Sequence, residues 1–148
     1  MFRSFLFVAT VATLFTVSSC TKECDEGYEG NDCKTEIREK YLGSWTAEDD
    51  CVKNTTTNQP VPYTVINKKA GSVTQFEITN VANAGVTVVA TVNTETTFTI
   101  DKQTVKVGTA NVEVTGNGTI SADKKTVTAT YTVTGSGGAQ SCSVKLTR

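Results

Sequence analysis

The stretch Thr126-Val127-Thr128-Ala129-Thr130-Tyr131-Thr132-Val133-Thr134 alternates threonine with a less polar residue at every step. Period two puts Val127, Ala129, Tyr131 and Val133 on one face of an extended chain and the threonines on the other. A helix would scatter the two sets, and β-branched side chains favour pleated surfaces. The same pattern recurs. Phe76 and Ile78 alternate with Gln75, Glu77 and Thr79, while Val86, Val88, Ala90 and Val92 share a face with Val89 as the exception. Phe98 with Ile100, Val105 with Val107, Val112 with Val114 and Ile120, and Cys142 with Val144 and Leu146 continue it. With residues 45–51 and 61–66 the count is about eight or nine short strands. Turn residues separate them: Pro60 and Pro62, Asn83-Ala84-Gly85, Gly108, Ser121-Ala122-Asp123-Lys124, and the glycine-rich residues 135–138. No crossover helices intervene, so the sheet is antiparallel. The expected fold is all-β, an eight-stranded antiparallel barrel, with a β-sandwich as the alternative. Residues 35–42 form the one helical stretch, with Thr35 as its N-cap and Ile37, Tyr41 and Leu42 facing inward.

The cysteines organise the rest of the chain, which has 148 residues and five cysteines. Met1-Phe2-Arg3 is a cationic start, and residues 4–17 are uncharged but too short to span a bilayer, as in an export signal. This segment ends in Val17-Ser18-Ser19-Cys20, which resembles the lipobox of bacterial lipoproteins. The resemblance implies cleavage between Ser19 and Cys20, a diacylglyceryl group on the Cys20 thiol, and acylation of the new amine. The partner is then the lipid bilayer. With Cys20 acylated, four cysteines remain for an oxidising compartment to pair. Spacing favours a local Cys24–Cys33 bridge and a long-range Cys51–Cys142 bridge, the second joining the first strand to the last. Three segments follow: 1–19 as the cleaved signal peptide, 20–34 as a lipidated tether, and 35–148 as the β-barrel.

Within the tether, Lys22 followed by acidic residues resembles a surface-export signal of some Gram-negative lipoproteins, and Thr21 after the acylation site resembles the pattern for outer-membrane release. The implied location is the bacterial outer membrane, on its periplasmic face or at the cell surface. Cys24-Asp25-Glu26-Gly27-Tyr28-Glu29-Gly30-Asn31-Asp32-Cys33 resembles the last loop of an EGF-like module. Further on, Tyr41-Leu42-Gly43-Ser44-Trp45 resembles the opening of lipocalin and related calycin barrels. That resemblance implies a tryptophan closing the barrel base beneath a cation from the last strand, here Arg148 or Lys145.

Composition removes several functions. A net charge of -1 leaves no basic surplus for nucleic acid. The absence of histidine removes imidazole-dependent catalysis and metal binding. No nucleophile elbow, phosphate-cradling glycine motif or recognisable carboxylate pair appears, and the cysteines lack CxxC spacing. No enzyme activity, cofactor or metal is therefore expected. Glu48-Asp49-Asp50 reads as solvated charge. The inward residues Val88, Ala90, Phe98, Val114 and Tyr131 are candidates for lining a small apolar ligand cavity, with Gly116 and Gly118 removing side-chain volume. No charged group or convergent polar cluster is expected inside. The chain reads as a non-enzymatic binding or surface-interaction module. The alternative is a structural envelope lipoprotein whose barrel is packed solid.

Overall fold

The alternating segments become strands in the computed structural model, which describes residues 23–148. The segment expected to be a signal peptide, and Cys20, lie outside the described residues. A small ribbon pairs β1 (Tyr28–Glu29) with β2 (Thr35–Glu36). There follow β3 (Gly43–Asp49), β4 (Tyr63–Lys69), β5 (Gln75–Val81), β6 (Val86–Val92), β7 (Thr97–Val107), β8 (Ala110–Ile120), β9 (Thr126–Gly135) and β10 (Gly138–Thr147). Each of these eight pairs antiparallel with its neighbour in sequence, and β10 pairs with β3. The sheet is thus a closed up-and-down barrel, not a sandwich, and closure leaves it no free edge strand. The closing ladder runs from Thr147 opposite Thr46 to Val144 opposite Asp49.

Period two explains most of the core. Trp45, Ala47, Val65, Phe76, Val88, Ala90, Phe98, Val127 and Leu146 are buried, and the intervening threonines of β9 stay outside or partly so. In β7 the register shifts between Ile100 and Gln103, at Asp101-Lys102. That bulge reverses the parity, so buried Phe98 and Ile100 give way to Val105 and Val107 on the inner face.

One end of the barrel is plugged. Residues Ile37–Tyr41 form a 3-10 turn instead of an α-helix beginning at Thr35. Thr35 does not cap it, because its backbone is committed to the ladder opposite Glu29. Ile37 and Tyr41 are buried and Leu42 packs against the core, as their spacing predicts. The Tyr41 ring stacks on Phe76 with centroids 4.9 Å apart and meets Phe98 edge-on at 5.4 Å. Its carbonyl accepts hydrogen bonds from Trp45 Nε1 at 2.8 Å and Asn67 Nδ2 at 2.9 Å. Arg148, not Lys145, is the cation over the tryptophan: its guanidinium carbon sits 4.2 Å from the Trp45 ring centroid. The same guanidinium donates to the Leu42 and Lys40 carbonyls, each at 2.9 Å.

The two inward glycines do not open a cavity. A Cβ on Gly118 would stand 2.4 Å from Phe98 Cζ and 2.9 Å from Ala129 Cβ. On Gly116 it would stand 2.6 Å from the Thr130 carbonyl oxygen. The missing side chains make room for neighbours that are already present. Gly118→Ala is expected to destabilise the barrel by about 1–3 kcal/mol through overpacking. Urea unfolding checks this, and an unchanged midpoint would mean that Phe98 has space to move.

The segment before the plug is docked as well. Cys24 and Cys33 are bridged. Lys40, itself buried, pairs with Glu29 of β1 at 2.5 Å and donates to the Glu95 carbonyl at 2.7 Å. The Ile37 amide donates to the Gly27 carbonyl at 2.8 Å, and Gly27 lies against Val73 and Thr74 of the β4–β5 turn. Buried Arg38 donates to the carbonyls of Ala70, Ser72 and Gln75 around that turn. Buried Lys40 therefore seats the disulfide loop on the plugged end, while buried Arg38 fastens the plug to the β4–β5 turn against which Gly27 lies.

Candidate functional site: the barrel mouth and the layer beneath it

β3 runs from Trp45 at the plug to Asp49 near the opposite end, and antiparallel pairing places Val81, Val86, Val107, Ala110, Gly135 and Gly138 at that same end. Inward side chains there are small, and no aromatic plug crosses above them. The result is an apolar cavity of about 280 Å³, lined chiefly by Val86, Val105, Val112, Val114 and Val133 beside the Cys51–Cys142 bridge. The turns around it, Ala82-Asn83-Ala84-Gly85, Gly108-Thr109 and Ser136-Gly137, carry no charge. The β3–β4 loop adds Asp50 and Lys53.

The five residues expected to line one cavity are not brought together. Val114 faces the mouth. Phe98 and Tyr131 border a separate void of about 30 Å³ deeper in the barrel. That volume corresponds to about one water molecule's share of the liquid. Val88 and Ala90 line neither space and are buried in the barrel wall. The reason is ring volume: Tyr41, Phe76 and Phe98 pack mutually, the last two at 5.3 Å between centroids, and fill the lower half. The residues missed by sequence reasoning, Val86, Val105, Val112 and Val133, also face inward but nearer the open end, Val105 only because the β7 bulge reverses that strand's parity.

A polar cluster does converge inside, contrary to expectation. Asp49 is 0% exposed. Its Oδ2 accepts from Tyr131 Oη at 2.5 Å and from Tyr63 Oη at 3.0 Å, while Oδ1 accepts from the Cys51 amide at 2.9 Å. Glu48 and Asp50 are exposed, as solvated charges should be, but Asp49 is not. The signal was the alternation itself, because Trp45, Ala47 and Asp49 share the inward parity of β3. Three donors on one carboxylate give the satisfied geometry that a buried charge requires.

Burial pushes the Tyr131 and Tyr63 phenols well above their ordinary range, and the Asp49 carboxylate raises both further. Burial, with Glu29 nearby, raises Tyr41 in the same direction. A raised folded-state value means the native chain keeps protons that the unfolded chain releases. This stability is fully present below pH ~10, the unperturbed tyrosine value, and is lost as pH climbs above it. Alkaline titration is expected to show these phenols ionising only together with cooperative unfolding. Phenolate absorbance rising well before the loss of β-sheet dichroism would contradict their protection.

The bridge between Cys51 and Cys142 spans a Cα–Cα distance of 5.5 Å. Cys51 lies two residues past β3, where the ladder extended from Asp49–Val144 would place Cys142 opposite it. Ligand-type atoms of Asp49, Asp50, Cys51 and Cys142 fall within 4.8 Å of one another. Both sulfurs are joined in the disulfide and the Asp49 oxygens are occupied by three donors, so this group is not arranged as a metal centre. Fold and site together define a closed antiparallel barrel with one plugged end and one open apolar mouth. No family model matches the chain, and no curated protein matches it.

Proposed function

We propose that this chain is an exported lipoprotein, anchored in the bacterial outer membrane through acylated Cys20, whose barrel binds a small uncharged apolar ligand at its mouth without chemical turnover. The observation that carries the binding reading is the 280 Å³ valine-lined cavity, ringed by three uncharged turns and the β3–β4 loop. It is nearly twice the ~150 Å³ apolar cavity that takes benzene, and it approaches the low end of ordinary ligand pockets, so a compact ring system or short alkyl group matches it. The non-catalytic reading is supported by a chain without histidine and by an interior carboxylate already saturated by donors. The alternative, a structural envelope barrel without a ligand, is favoured by the packed lower half. The anchoring reading rests on Val17-Ser18-Ser19-Cys20 and on the pairing of all four other cysteines.

Native mass spectrometry of protein extracted from its own envelope, together with titration by the neutral fluorophore N-phenylnaphthylamine, tests the binding reading. A co-purifying apolar molecule, and probe binding abolished by Val105→Trp in a folded barrel, are expected. Bare protein that also ignores the probe would favour the structural alternative. Cys20→Ser is expected to move the chain from the membrane to the soluble fraction, because several acyl chains supply the anchoring. Retention in the membrane fraction would overturn the lipid assignment.

A further inference from the structure

We infer that the plugged end of the barrel is its membrane-facing surface, its partner being the lipid bilayer, and that the ligand mouth is held pointing away from the membrane in which the protein is anchored. The inference rests on the acylated Cys20 reading and adds to it an orientation. Its basis is the place where the described chain begins. Cys24 belongs to the bridged loop, and that loop is seated on the plug by the Glu29–Lys40 pair, the Ile37–Gly27 hydrogen bond and the contact of Gly27 with Val73 and Thr74. Only Thr21, Lys22 and Glu23 separate Cys20 from Cys24. Four residue steps span at most ~14 Å when fully extended.

The mouth lies at the far end of strands such as β8, which has 11 residues. Such a strand is about 36 Å long, and with the usual barrel tilt its ends are separated by roughly 25–30 Å along the axis. A tether reaching ~14 Å from the plug is too short for the barrel to stand inverted with its mouth on the surface that holds it. A long linker would allow any orientation, but here only three residues separate Cys20 from Cys24 and the loop after them is held by the buried Lys40. Lys40 is shielded by the loop it binds, and Arg38 is enclosed by three carbonyls, so both clamps work in the absence of any partner. The mouth therefore samples molecules arriving from the side opposite the anchoring bilayer, and does not extract lipid from it.

The two ends of β8 provide the test. A fluorophore is placed by an unnatural amino acid at exposed Ala122, in the plug-side turn, or at exposed Thr109, in the mouth-side turn. The full mature chain is used, either as the native lipoprotein in outer-membrane-lipid vesicles or coupled through the Cys20 thiol to a maleimide lipid. Energy transfer to an acceptor on the lipid headgroups is expected to be several-fold stronger from position 122 than from 109. Insertion of a Gly/Ser segment of about 16 residues after Lys22, with a root-mean-square span of roughly 20–24 Å, is expected to erase that difference. Equal transfer from both positions in the natural chain, or stronger transfer from 109, would overturn the orientation. The lipid reading fails separately: the native protein would not float with vesicles, while the maleimide-coupled form would still report which end faces the lipid.

Discussion

Removing the Cys51–Cys142 bridge, by replacing both residues with alanine, is expected to produce the largest stability loss of any change outside the barrel's aromatic plug. The cysteines are 91 residues apart in sequence. In the chain-entropy account a loop of that size contributes about 4–5 kcal/mol by restricting the unfolded ensemble. For a domain of this size that corresponds to a fall in Tm of roughly 10–20 °C. Position adds to length here. The bridge lies two residues beyond the last pair of the β3–β10 ladder, the seam where a linear chain becomes a closed barrel. Beyond that point only the Asp50 amide on the Ser143 carbonyl, at 3.0 Å, and the Asp50 carboxylate on the Ser143 amide continue the join. Without the disulfide the seam should fray from the mouth downward, and hydrogen exchange at Ser143 and Val144 should accelerate before exchange at Leu146. A double variant that melts within a few degrees of the parent would mean that the β-ladder alone secures closure.

The strand pattern was legible because solvent wets one side of every strand, and period two reports that asymmetry directly. The disulfide pairing was legible from spacing, and a last-strand cation over Trp45 from the resemblance of the five residues opening the barrel, although that left Arg148 and Lys145 as alternatives. Three features were not legible, each for a physical reason. The bulge at Asp101-Lys102 reverses parity within β7, and two charged residues in a strand are equally consistent with an exposed continuation. The ligand-lining set failed because parity says which face a residue occupies but not how high it stands above the plug. Val88, Ala90, Phe98 and Tyr131 do point inward, yet rings from Tyr41 and Phe76 reach across from distant segments and fill that level. Gly116 and Gly118 misled for the same reason, since a missing side chain marks close approach as readily as a void.

Asp49 is the third, and its replacement should show what holds the layer between packed core and open mouth. An aspartate in an alternating strand ordinarily marks the wet face, and its burial here depends on the Cys51 amide and on two tyrosines 14 and 82 residues further on. Asp49→Ala would leave Tyr63 Oη, Tyr131 Oη and the Cys51 amide without their acceptor. Hydrogen bonds to charged groups contribute about 1.5–3 kcal/mol each, and buried donors left unpaired cost about 1–3 kcal/mol each, so a loss of roughly 3–5 kcal/mol is expected. Asp49→Asn should cost less, because one oxygen still accepts, although its amide hydrogens must face donors. Tyr131→Phe removes one donor and leaves the carboxylate two partners; about 1.5–3 kcal/mol is expected. Because these groups form one network, Asp49→Ala combined with Tyr131→Phe should cost clearly less than the sum of the two. Chemical denaturation of the four proteins measures the coupling. Additive losses, or an alanine variant within 1 kcal/mol of the parent, would show that water reaches the carboxylate and that the valines of the mouth stand on a wet floor.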